Sequence, residues 1–181
     1  IETVGLGSAG GGGGIATWGG NSAGSNGTHG VVTVIGPGLA TSTYTRGRIG
    51  QAIDLNGSDN YISVGNVGSG VKTIAFWMKA DDVTVRKIFD FDGTDQIELN
   101  SSRQVVATSF PGTTAIYVDG VVASTVSTST WHHIIVTDTT GVNASAFYMG
   151  TTASWFDGAL DDVRLYNRVL SSSEISRLYK L

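Results

Sequence analysis

From Val31 onward the apolar residues of this chain come in runs of strand length, recurring about every ten residues, with Gly, Asn, Asp, Ser or Thr between them. Short runs closed by turn residues at this spacing are the pattern of an antiparallel sandwich or barrel, because a helix needs a longer stretch with a 3.6-residue period. The predicted strands are Gly30–Ile35, Gln51–Leu55, Asn60–Val64, Lys72–Lys79, Arg86–Phe91, Gln96–Leu99, Gln104–Thr108, Ala115–Ala123, His132–Thr137, Ala146–Gly150 and Leu160–Tyr166. Asn56-Gly57, Asp92-Gly93 and Asp119-Gly120 supply the positive φ angles that tight hairpins require. Within Lys72–Lys79, Ile74, Phe76 and Met78 share one face while Ala75 and Trp77 share the other, so both faces are apolar and the strand belongs inside a layered sheet. Trp77 and Trp131 are expected in the core.

The C-terminus alone changes period. Ser171-x-x-Glu174 is a capping box, Leu170 and Ile175 are spaced to staple it, and Ile175, Leu178 and Tyr179 fall on one helical face. A short helix is therefore expected to dock on the sandwich. At the other end, residues 1–20 contain the run Gly10–Gly14 and lose too much backbone entropy on ordering to form a regular element. They are read as a glycine-rich lead-in or tether able to engage neighbouring subunits or domains, with residues 21–181 as a single β-domain. Ile1 in place of Met, with no signal-like segment after it, is the expected look of a piece processed from a longer product.

Charge narrows the partners. Charged residues make up 14% of the 181, acidic residues outnumber basic ones by 15 to 11, and no Lys or Arg run occurs, so a phosphate backbone has nothing to meet. Apolar stretches as short as Ile134–Val136 are not long enough to cross a bilayer. The absence of cysteine excludes disulfides and thiolate chemistry.

Six segments in order, Asn21–Gly30, Gly47–Gly65, Lys72–Ala80, Ile116–Gly120, Trp131–Thr137 and Phe156–Tyr179, together resemble the laminin G-like, concanavalin A-like jelly-roll domains of bacterial surface and secreted proteins. The resemblance implies an all-β, two-sheet antiparallel jelly-roll sandwich with a short C-terminal helix, in an extracellular or cell-surface protein. It also implies a fold that more often binds than catalyses, so function must be argued from sites.

Glycosidases need two carboxyl groups flanking the scissile bond. The glucanases of the superfamily carry E-x-D-x-x-E along one strand, and this chain has no such sequence; its nearest carboxylate cluster is Asp90, Asp92, Asp95 and Glu98, with Asp92-Gly93 reading as a turn. The Gln-x-His of alginate lyases is missing, and no serine sits in G-x-S-x-G. Alternation throws His132 and His133 to opposite faces, so the pair cannot share a metal. They read as a strand-end pair.

Two binding sites are expected. In related domains a structural calcium ion sits between an early loop and the Asp of a late strand, which maps here to Asn21, Ser22 and Asn26 with Asp161, although the first Asp of that loop is replaced. Asp161 has the strand parity of Val163 and Leu165 and should point to the packed side, where a cation, backbone N–H groups or Arg164 must compensate its charge. For sugar, the usual equipment is an aromatic platform beside amide or carboxylate groups. Trp155, in the loop Thr151–Trp155, and Tyr148 just before it are the candidates, although Trp155 and Phe156 would equally well plug one end of the sandwich. The expected function is non-catalytic carbohydrate binding by one module of a larger surface or secreted protein. The rival readings are an assembly subunit of a filament or coat that binds no glycan, and a glycan-active hydrolase or lyase.

Overall fold

The computed structural model describes residues 33–35 (as backbone), 44–82, 84, 86–150 and 154–181. The lead-in and the loop carrying Asn21, Ser22 and Asn26 lie outside the described residues.

Thirteen strands and one helix are described: β1 (Thr33–Ile35), β2 (Tyr44–Arg46), β3 (Gln51–Asn56), β4 (Tyr61–Gly65), β5 (Gly68–Ala80), β6 (Arg86–Asp90), β7 (Gln96–Leu99), β8 (Val105–Thr108), β9 (Thr114–Val118), β10 (Val121–Val122), β11 (His132–Ala144), β12 (Phe147–Met149), β13 (Asp157–Tyr166) and α1 (Ser172–Tyr179). The named strands all pair antiparallel, in a six-stranded sheet ordered β1-β4-β12-β6-β7-β8 and a seven-stranded sheet ordered β10-β9-β11-β5-β13-β3-β2. Non-consecutive neighbours in both sheets make this the expected jelly-roll sandwich.

One face of each sheet is spent on the other. Ile62, Val64, Ile88, Phe89, Ile97 and Leu99 from the smaller sheet meet Ile53, Leu55, Ile74, Phe76, Met78 and Val136 from the larger in one continuous core. Phe76 reaches Phe89 edge to face at 4.7 Å, and Phe91 stacks on Phe147 at 5.0 Å. The second apolar face of β5 is used as its sequence implies. Ala75 joins Ile135, Leu170 and Ile175 in a separate cluster beneath α1, so the helix covers part of the larger sheet's outer face. The helix begins at the capping box, with Ser171 Oγ accepting from the Glu174 N–H and the Glu174 carboxylate accepting from the Ser171 N–H at 2.9 Å.

Trp77 is buried as expected, on the outer face of β5 with its ring 5.9 Å from that of Tyr179 in α1. Two readings need correction. Trp131, expected in the core, is only half-buried just before β11, with the Lys79 ammonium 5.9 Å from its ring. The second is the parity of Asp161. β13 carries a bulge between Asp161 and Arg164, with Asp162 at φ 47°, and this extra residue shifts the alternation. Leu160, Val163 and Leu165 all enter the main core, while Asp161 pairs with Trp77 on the opposite, outer face.

Candidate functional site

Asp161 is buried all the same, at 2% exposure. The turn closed by Gly47 N–H donating to Gly50 O lies over it, and the Ile49 N–H donates to Asp161 Oδ2 at 2.7 Å. Gly47 permits this approach, because a Cβ there would stand 2.5 Å from the same oxygen. Burial pushes the Asp161 carboxyl above its ordinary range, and the backbone N–H groups of Ile49, Asp162 and Arg48 hold part of that rise back. Of the three compensations expected from the sequence, backbone N–H groups are therefore present. Arg164 is committed elsewhere, to Asp162 at 2.8 Å. The positive ends of N–H dipoles already face the carboxylate, so a cation would have to share it. Among the described residues no group of three or more His, Asp or Glu side chains is placed to hold a metal ion.

The outer face of the six-stranded sheet has a different character. On β4, Tyr61 and Ser63 alternate with the buried Ile62 and Val64; on β12, Tyr148 lies between the buried Phe147 and Met149; on β6, Asp90 follows the buried Phe89. The register sets Ser63, Tyr148 and Asp90 side by side across three strands, and Asp90 is in turn opposite Gln96 on β7. Trp155 joins from the connection into β13. Its backbone makes a parallel bridge to Lys87, Ser154 O accepts from the Lys87 N–H at 2.8 Å, and its ring lies 5.8 Å from that of Tyr61. Tyr61 lies 6.0 Å from Tyr148. The result is a half-buried cluster of three rings centred on Tyr61, bordered by a hydroxyl, a carboxylate and an amide.

Both sequence candidates, Trp155 and Tyr148, are thus brought to one place, but through Tyr61, which sequence reasoning did not single out. Its alternation with Ile62 was a usable sign that it faced outward. The plugging role falls to Phe156, which is fully buried.

The four carboxylates weighed for hydrolysis have structural partners in three cases. Asp90 accepts from the Gly93 N–H at 2.6 Å and the Gln96 amide at 3.3 Å, Asp92 from the Thr94 and Asp95 N–H groups at 2.8 Å each, and Glu98 from the Thr108 hydroxyl at 2.9 Å. These bonds tie the β6–β7 hairpin and the β7–β8 pair. Asp95 is nearly buried, and burial, then the charges of Asp92, Asp138 and Asp90, raise its pKa.

The architecture and the polar, aromatic outer face define a lectin-like jelly roll. The chain belongs to the concanavalin A-like lectin/glucanases superfamily, whose laminin G family model matches residues 39–176. Among solved structures it is similar to domain 4 of AbnA, a GH43 extracellular arabinanase from Geobacillus stearothermophilus in complex with arabinotriose. The TM-score is 0.58 at 20% identity, over 82% of this chain and 88% of that one, a likeness of fold. No curated protein matches in sequence. Among the described residues no helix is long and apolar enough to cross a membrane.

Proposed function

We propose that this domain binds carbohydrate without turning it over, as a module of a secreted or cell-surface protein, and that the sugar lies on the outer face of the six-stranded sheet. The observation that carries this reading is the Tyr61, Tyr148 and Trp155 cluster beside Ser63, Asp90 and Gln96. A sugar offers an apolar face of C–H groups to a ring and a rim of hydroxyls to nearby acceptors and donors, and this surface has both kinds of group. Family membership supports a carbohydrate partner, and the similar domain was solved with arabinotriose. The binding-only part of the proposal is supported by the use of Asp90, Asp92 and Glu98 as hydrogen-bond acceptors within hairpins.

The test is a glycan array followed by calorimetry, starting with arabino-oligosaccharides and other neutral plant and bacterial glycans. Trp155→Ala, Tyr148→Ala and Tyr61→Ala should each weaken binding on the order of tenfold, about 1.4 kcal/mol, without unfolding the domain. A ligand that binds all three variants as tightly as the parent would place its site elsewhere. A blank array would favour the assembly-subunit reading, and sustained turnover lost with Asp90, Asp95 or Glu98 would favour an enzyme.

A structural calcium shared by Asp161 and the early loop belongs to the same proposal. Its sign would be a melting temperature lowered by chelator and restored by calcium, but poorly by magnesium, which demands tighter octahedral geometry. Unchanged melting would assign the compensation of Asp161 to the backbone N–H groups alone.

A further inference from the structure

At one end of the larger sheet, away from the aromatic face, three side chains from a stretch of fourteen residues line up in an order the sequence does not advertise. Asp119 sits at the β9–β10 turn, Ser127 in the connection from β10 to β11, and His132 at the first position of β11. His132 Nδ1 lies 2.7 Å from Asp119 Oδ2, and His132 Nε2 lies 2.8 Å from Ser127 Oγ. A carboxylate against Nδ1 puts the ring proton there and leaves the Nε2 lone pair to accept. The Ser127 hydroxyl is therefore the donor. We propose that Ser127 is an activated nucleophile, with His132 as its general base and Asp119 as the group that positions the imidazole, and that it takes acyl groups from activated carboxylic esters.

Each member is held by bonds of its own. Asp119 Oδ1 accepts from the His133 N–H at 2.9 Å, and the Asp119 N–H donates to His133 O at 2.8 Å, so this carboxylate is clamped to the strand that carries His132. The loop around Ser127 is fixed on both sides, by Val126 N–H to Arg103 O at 2.9 Å and Ser129 N–H to Ala80 O at 2.7 Å, and Val126 is buried. The His132 and Asp119 side chains are 14% and 31% exposed, and Ser127 is open to solvent, so a small ester can reach Oγ. This is the nucleophile, base and orienting group of a hydrolase triad met outside the usual sequence setting.

The same geometry limits the rate. The Ser127 N–H also donates to His132 Nε2, at 3.1 Å, so it does not serve a developing oxyanion, and the general base is left as the main source of acceleration. In the acylation step Oγ bonds to the ester carbonyl carbon, its proton passes to Nε2, and the C–O bond to the leaving group breaks. The proton then leaves with that group or with solvent. Water, deprotonated by the same nitrogen, can later release the carboxylic acid and restore the serine.

The experiment is brief treatment of the intact domain with p-nitrophenyl acetate, followed by peptide mapping by mass spectrometry. Ser101 and Ser102, exposed in a turn, serve as internal references. Acetyl should accumulate at Ser127 at least about a hundredfold faster than at either, the lower end of the range a general base supplies. His132→Gln should bring Ser127 down to the reference rate, and Ser127→Ala should abolish the fast release of p-nitrophenol. Acetylation of Ser127 no faster than that of Ser101 and Ser102 overturns the proposal without recourse to any variant. So does release that survives Ser127→Ala, which would belong to the imidazole acting alone.

Discussion

His133 shows what a single buried titratable side chain imposes. Its ring lies 5.0 Å from Trp77 and 6.3 Å from Tyr179, and neither its Nδ1 nor the Trp77 Nε1 has a hydrogen-bond partner among the described residues. Burial lowers its pKa from 6.5 to about 4, against a smaller opposing pull from Asp119 and with a further push from Arg164. The unfolded chain takes this proton near pH 6.5 and the folded chain only near 4, so the stability tied to neutral His133 is complete above pH 6.5 and lost as pH falls through that window. The loss by pH 4 is about 3 kcal/mol. Melting temperature should fall measurably between pH 6.5 and 4, and His133→Gln should flatten that slope. Asp161 invites a second comparison. Asp161→Ala strands the Ile49 N–H and should cost about 1–3 kcal/mol in denaturant unfolding, whereas Asp161→Asn keeps an acceptor and should cost less. Gly47→Ala, which drives a methyl group into the same carboxylate, should be as damaging as Asp161→Ala.

At the scale of elements, α1 is the part most openly written in the sequence, because capping and stapling are local: Ser171, Glu174, Leu170 and Ile175 all lie within six residues. Ser171→Ala should cost about 1 kcal/mol and Ile175→Ala about 2–5 kcal/mol, both read from urea midpoints at constant slope. Strands were legible where one face alternates, as in β4, and illegible where polar residues or a register shift interrupt the apolar pattern or no residue is buried. The predicted end of β11 at Thr137 follows from the polar residues beyond it, yet the strand runs on to Ala144 because Val142, Asn143 and Ala144 pair with Val71, Ser69 and Gly68 after a register shift. β2 has no buried residue to mark it, and Tyr44 is 53% exposed. The bulge in β13 has no residue signature either, since Asp at φ 47° is tolerated rather than demanded.

For the whole molecule, the sandwich leaves its two outer faces with different fates: the larger is partly covered by α1, while the smaller presents the Tyr61 cluster. Trp155 and Tyr148 were within reach of sequence reasoning because seven residues separate them, but Tyr61 is brought beside them only by the order β4-β12-β6, which no local pattern encodes. An oligosaccharide on the proposed sugar site at a hundredfold excess over Kd should add about 2.7 kcal/mol of stability and so raise the melting temperature of the parent, and Trp155→Ala should lose most of that shift. The bulge at Asp162 carries a consequence for how such a chain can vary. It works as a frame shift within one strand, setting Leu160 before it and Val163 and Leu165 after it in the same core. Removing that one residue would return β13 to plain alternation, with Leu160 and Val163 two positions apart and Val163 and Leu165 still between the layers. A single deletion elsewhere in the strand, with the bulge kept, would instead turn one end of it inside out, so β13 has one position at which its length can change by a single residue without exchanging its faces.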